Sequence, residues 1–273
     1  MDSRDMQVIG LCRFSYPAMG GFQVEHQTIE EREAFLYDPV RMEERFRTFE
    51  CLTLPPLRAQ SDRDFKFVVV IGENMPKNLR ARLENLLSDI PQAVIVARAP
   101  GRHREVMKDV INAHLEDRKE PSLQFRMDDD DAVSVRFVER LREAAQDIRP
   151  LIRHNRYVGI DFNQGFIARI GTEGLRGKAV VETLWTPALA MVVKAGASRT
   201  IMNFSHAKLT RVMPVLSMTG EDMFIRGHND FNDSRQKDGI KPVRVPRLDA
   251  NDAAHFKRVF NVDAEHILKV YAP

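Results

Sequence analysis

The chain has 273 residues, 43% of them hydrophobic, which suffices for one large domain with a sizeable core. Its 41 basic and 39 acidic residues leave a net charge of +2, with no Lys/Arg block, so charge gives no reason to expect a nucleic-acid partner. Two cysteines, Cys12 and Cys51, cannot staple a domain of this size and read as free, packed thiols.

The start, MDSRDMQVIG, lacks the basic-then-apolar order of a signal peptide. The longest apolar run, TPALAMVV, falls far short of the about 20 residues that a spanning helix needs. A soluble, cytoplasmic protein is the expectation, with peripheral contact at the inner face of the membrane left open. Oligomeric state is not legible.

In chain order, QVIGLCRF (7–14) reads as a buried strand. Residues 38–60 open with an Asp-Pro helix start, carry Met42, Phe46 and Phe49 on one stripe, and are expected to stop at Pro55-Pro56. DFKFVVVIG (64–72) is the clearest strand, a β-branched run ending in glycine. A helix over 75–91 presents Leu79, Leu83 and Leu86; AVIVAR (93–98) is strand; 103–117 is helix; SLQFRM (122–127) is strand; 132–148 is helix. Further on, 157–170 suggests a hairpin turning at Asn163-Gln164-Gly165, and 177–185 another strand. Residues 187–196 fit a short helix or a strand. Beyond about 200 the chain is loop-rich, apart from an amphipathic stretch over 250–262.

The first half alternates strand and helix. That order predicts an open, mostly parallel, Rossmann-like α/β sheet with helices on both faces, and mixed strands in the C-terminal half. Residues 1–240 form the expected domain, with a nucleotide-binding half over 1–131 and an acceptor half over 132–240; 241–273 is a tail or short helix. Ligands of such sheets bind beyond the carboxyl ends of the strands.

Where the fourth strand should end, the chain reads RMDDDDAV (126–133). Four successive carboxylates repel one another unless something balances them. A hard divalent cation such as Mg²⁺ or Mn²⁺ does so, taking one or two carboxylates and completing its shell with water and phosphate oxygens. Helix capping is the plainer alternative, since Asp is a good N-cap and the helix dipole favours acids there. Capping has no use for all four.

With LCRFSYPAMGGFQ (11–23) and GHNDFNDS (227–234), this stretch resembles the bacterial rhamnosyltransferase family, within the nucleotide-sugar glycosyltransferases of GT-A fold. The similarity runs over about 7–240. It implies metal-dependent transfer of rhamnose or another hexose from a nucleotide-sugar donor to a glycan or small hydroxyl acceptor, with Mn²⁺ or Mg²⁺ as cofactor. Asp130 and then Asp131 are the expected metal ligands, and Asp128 or Asp129 would face the ribose or donor sugar. On the nucleotide side stand Arg13, Phe14, Gly20-Gly21, Glu73 and Arg98, with a plain core role as the alternative for Phe14. Asp222, then Glu221, then Glu182 are the candidate bases for the acceptor hydroxyl. His228 is a third candidate metal ligand, with His206 competing, and Arg226 and Arg235 could hold the diphosphate. Trp185, the single tryptophan, could stack on a sugar ring.

Two rivals stand beside this. A sugar nucleotidyltransferase would open with a richer glycine loop after the first strand than YPAMGGFQ offers. A non-catalytic nucleotide- or carbohydrate-binding protein would keep the fold without turnover. Phosphate-loop, dinucleotide and zinc motifs are missing.

Overall fold

The structure is a computed structural model describing residues 2–20, 26–116, 119–228 and 245–272. Strand β1 (Val8–Arg13) is followed by helices α1 (Ile29–Leu36), α2 (Pro39–Thr48) and α3 (Leu54–Arg58). Then come β2 (Lys66–Gly72), α4 (Lys77–Leu87), β3 (Ala93–Arg98), α5 (His103–Ala113) and β4 (Ser122–Asp128). The second half runs β5 (Ala132–Val133), α6 (Phe137–Asp147), α7 (Arg149–His154), β6 (Tyr157–Phe162), β7 (Gln164–Gly171), β8 (Gly174–Val181) and β9 (Leu189–Val193). Two 3-10 turns, Ile201–Asn203 and His206–Arg211, lead to β10 (Val215–Met218) and β11 (Phe224–Gly227), and α8 (Ala250–Phe260) and α9 (Ala264–Val270) close the fold.

Seven strands form the main sheet in the order β10-β6-β9-β4-β1-β2-β3. All pair in parallel except β9, which is antiparallel to both β4 and β6. The expected α/β sheet, mostly parallel and helix-covered, is therefore present. Side chains alternate across it. Cys12, Phe67, Val69, Phe125 and Met127 pack under Phe46, Leu83 and Leu141 of α2, α4 and α6. Ile9, Leu11, Val68 and Val70 face Met107, Val110 and Ile111 of α5 on the other side. Gly10 stands opposite Phe125, whose ring occupies the space a Cβ would take.

A second sheet, β5-β11-β7-β8, lies beyond the end of β4. Its Ala168, Ile170, Leu175 and Ile225 pack against Phe256, Phe260 and Ile267 from α8 and α9. The amphipathic stretch near 250–262 thus closes a core of its own.

Three local expectations change. The helix expected from 132 begins only at Phe137, because Ala132–Val133 first pair with β11; Arg136, not an aspartate, precedes the helix, so capping does not explain the acidic run. The segment 157–170 is no hairpin: β6 joins the main sheet and β7 the second, so the chain crosses between sheets at Asn163. Pro55 and Pro56 do not stop a helix but sit in the first turn of α3, where proline costs no hydrogen bond, after a π turn over Phe49–Thr53. Residues 187–196 resolve to strand β9. Cys12 and Cys51 are free and buried. No helix of the described residues is long and apolar enough to cross a membrane.

Candidate active site

The register of β1 with β4 places Arg13 beside Asp128, so both lie at the carboxyl edge of the parallel strands. Glu73 follows β2 there, donating its N–H to the Arg98 carbonyl at the end of β3 (3.1 Å). The segment after β1 is held against the same edge. Tyr16 donates its hydroxyl to the Ala99 carbonyl (2.6 Å), and Ser15 takes a left-handed φ of 46°. Such a backbone costs about 1–3 kcal/mol in a non-glycine residue and clusters at functional sites.

The aspartate run is a tight turn from the main sheet into the second one, closed by Asp131 N–H to the Asp128 carbonyl (3.2 Å). The turn gathers Asp128, Asp130 and Asp131, whose carboxylate oxygens lie within 4.8 Å of one another. Asp128 is exposed, Asp130 is 9% exposed and Asp131 3%. Burial, then the charges of Asp130 and Asp128, push the Asp131 carboxyl well above its ordinary range; Arg226 and the Gly227 N–H act in the opposite sense. The Gly227 N–H reaches Asp131 Oδ1 at 3.0 Å. At position 227 any Cβ would overlap the Asp130 carbonyl, so glycine is what lets β11 press against the turn. His228, next in line, donates its N–H to the Ala168 carbonyl (2.8 Å), which fixes its backbone beside the cluster.

Asp129 departs from the expectation. It is 3% exposed and turned to the opposite face, ion-paired with Arg45 of α2, while its carbonyl accepts from Thr53 Oγ1 (2.9 Å). The strand ends at Asp128 and the chain turns at Asp129, so the two side chains leave the backbone in different directions. Asp129 ties the turn to α2 and to Thr53. Of the two roles open to Phe14, the structure has the core one: it is fully buried between Phe46 and Phe49 (centroids 5.1 and 5.0 Å), with no face open to a base.

Cationic groups surround the cluster. Arg126 lies two residues before Asp128, on the same face of β4, and no described protein atom accepts from its buried Nε. Its charge is felt by His103 at the start of α5. Burial, then Arg13, Arg126 and Arg104, push that imidazole down to about 3. Arg226 of β11 rests on the Trp185 ring (4.6 Å to the centroid). The site can thus hold a hard cation on its carboxylate side and an anion on its arginine side. Three oxygen donors converging in one turn, with one carboxyl strained by its neighbours' charge, suit such a cation.

Two of the three expected bases are engaged by other side chains. β11 runs from the region of Asp222 to Gly227, so Asp222 stands five residues, roughly 16 Å of extended strand, from the residue touching the cluster. Its Oδ2 meets His255 Nε2 of α8 (2.8 Å) and its Oδ1 accepts from Gln164 (2.9 Å). Glu221 is exposed and pairs with Arg140 of α6 (2.9 Å). Glu182 is exposed just past β8, its N–H on the Asn163 carbonyl (2.7 Å). Both acids of the 221–222 pair tie helices to the second sheet. Arg235 and Gly21 lie outside the described residues.

Arg45, Gly227 and Arg126 carry structural weight that the sequence reading did not assign. Arg45 had a signal: it sits among Met42 and Phe46 on the buried stripe of α2, where an unpaired arginine would be costly. Gly227 had none, since its close approach depends on how the second sheet docks.

A mostly parallel helix-covered sheet, with a carboxylate turn leaving its central β4 beside arginine-bearing strand ends, defines a GT-A-type fold. The chain belongs to the family described as "Putative rhamnosyl transferase", whose profile matches residues 7–241. No curated protein matches it. Among solved structures, it is similar to S. aureus TarS 1–349 at 10% identity, covering 81% of this chain and 60% of that chain with a TM-score of 0.43. For TarS 1–349 in complex with UDP-GlcNAc the identity is 11%, the coverage 98% and 71%, and the TM-score 0.44. UDP-glucose pyrophosphorylase complexed with UDP-glucose shares 10% identity over 69% of this chain and 76% of that one, with a TM-score of 0.30. The chain spans about 60% of the length of the first of these.

Proposed function

We propose that the protein is a metal-dependent glycosyltransferase that moves a hexose from a nucleotide sugar to a hydroxyl of a glycan or small acceptor. The observation that carries this reading is the convergence of Asp128, Asp130 and Asp131 at the exit of β4, within a family of transferases. Asp130 and Asp131, with Asp128 and His228 alongside, would hold Mn²⁺ or Mg²⁺. When bound, that ion supplies charge stabilisation to a departing diphosphate.

The chain's own groups do the rest. Arg13 and Arg126 line the carboxyl edge as donors to phosphate oxygens, and Arg226 closes the opposite side from the second sheet. Glu73 and Arg98, at the ends of β2 and β3, face the nucleoside end of the cleft. Trp185, already carrying Arg226 on its face, offers an apolar wall toward the sugar.

A panel of uridine-, thymidine- and guanosine-diphosphate sugars tests this. One donor should release nucleoside diphosphate only with Mn²⁺ or Mg²⁺ present, and Asp130→Ala should lower the rate by about 10²–10³-fold. Release of pyrophosphate from a nucleoside triphosphate would mark a nucleotidyltransferase instead. Metal-dependent nucleotide binding without turnover would mark a binding protein.

A further inference from the structure

Two of the candidate bases are tied to other groups, Asp222 to His255 and Gln164 and Glu221 to Arg140. A further group suited to the acceptor's proton is held by the loop after β8. His206 opens the 3-10 turn ahead of β10, and its Nδ1 lies 2.6 Å from the Leu184 carbonyl. A carbonyl oxygen only accepts, so Nδ1 carries the proton and Nε2 is left as a bare acceptor.

The carbonyl that imposes this tautomer is itself aimed. Leu184 adopts a left-handed φ of 62°, unusual for a bulky residue. Its N–H donates to Asp161 Oδ1 (3.0 Å), and Asp161 is fully buried, its Oδ2 accepting from Ser217 Oγ (2.8 Å). A strained peptide clamped by a buried carboxylate is a device for pointing one carbonyl. The next residue, Trp185, seats Arg226. One short loop thus orients both His206 and a cation of the carboxylate site.

We propose that His206 is the general base that takes the proton of the acceptor hydroxyl, a role that rests on the glycosyltransferase reading above. The acceptor O–H bond breaks, its proton passing to Nε2. The acceptor oxygen forms a bond to the anomeric carbon, whose bond to the diphosphate oxygen breaks with the electron pair leaving on the nucleoside diphosphate. The imidazolium then returns its proton to water. A single displacement of this kind inverts the anomeric centre.

The surroundings favour the neutral ring. Burial and the charge of Arg126 on β4 lower its pKa, the bond to the Leu184 carbonyl raises it, Arg226 on β11 lowers it, and Asp128 raises it; the balance lies below the ordinary histidine value. That direction favours the neutral ring, whose Nε2 can accept a proton.

The test compares wild type with His206→Gln, His206→Ala and Leu184→Gly, the last keeping the imidazole and its carbonyl partner while loosening the backbone that aims that carbonyl. Release of nucleoside diphosphate from the active donor is measured with Mn²⁺, alongside calorimetric affinity for the same nucleoside diphosphate. The expected result is a fall in kcat of about 10²–10⁴-fold in both His206 variants, a smaller fall in Leu184→Gly, and unchanged nucleotide affinity. Added imidazole should restore part of the rate in His206→Ala, which a structural role would not allow. Turnover within about threefold of wild type in the His206 variants overturns the proposal, as does an affinity loss matching the rate loss. A wild type that turns over no donor sinks the transferase reading itself, a result distinct from either.

Discussion

At the residue scale, the carboxylate turn makes opposing demands on its members. Asp131 ionised is a cost to the metal-free fold, because burial and two neighbouring carboxylates raise its pKa. A raised acid pKa means that the folded state binds the proton more tightly than the unfolded one, so stability from this group falls as pH rises from the unfolded-state value through the folded one. Asp131→Asn should therefore raise the melting temperature of the metal-free protein at pH 7, the gain shrinking as pH is lowered, while the Mn²⁺-induced shift is lost. Thermal melts at several pH values, with and without Mn²⁺, check both halves. Asp129 makes the contrary case. Removing Arg45 takes away the guanidinium that balances a buried carboxylate, at a cost of about 3 kcal/mol, and Arg45→Ala/Asp129→Ala together should cost less than the sum of the single changes in urea denaturation. Gly227→Ala should weaken Mn²⁺-dependent nucleotide binding, measured by calorimetry, because the added methyl drives β11 off the Asp130 carbonyl.

At the element scale, strands read from β-branched runs and helices read from apolar stripes stand close to their observed places: β2, α4, β3 and α5 each fall inside the expected span. These patterns are local, because side-chain period alone separates strand from helix. Failures came where distant pairing decides. The two β-strands at 157–171 are contiguous in sequence yet belong to different sheets, and Ala132–Val133 is a strand only because β11 lies beside it. A capping box at Thr28 with Glu31, legible in the sequence, marks the start of α1. Within the main sheet, Gly10 is where the Phe125 ring crosses β1. Gly10→Val should destabilise by about 1–3 kcal/mol or more, through overpacking, read as a lower urea midpoint with unchanged m-value.

At the scale of the whole molecule, the two sheets meet at the aspartate turn, so the site depends on both being in place. The C-terminal helices matter for that reason. Phe256, Phe260, Val262 and Ile267 are fully buried and cover the second sheet. A chain ending at 248 should expose that face, lose solubility or melt far below the full chain, and lose Mn²⁺-dependent nucleotide binding although the carboxylates remain. Differential scanning fluorimetry and calorimetry on the shortened protein decide this.

The sequence by itself determined the alternating α/β order and the presence of a charge cluster at the end of the fourth strand, since both follow from residue type and short-range period. Long-range contacts are what gather Asp128, Asp130 and Asp131 in one turn, tie the 221–222 acids to α6 and α8, and bring His206 onto the Leu184 carbonyl. Those outcomes hang on β9 entering the sheet antiparallel and on a second sheet docking at the turn, and contacts between residues far apart in the chain leave no periodic trace in the order of its residues.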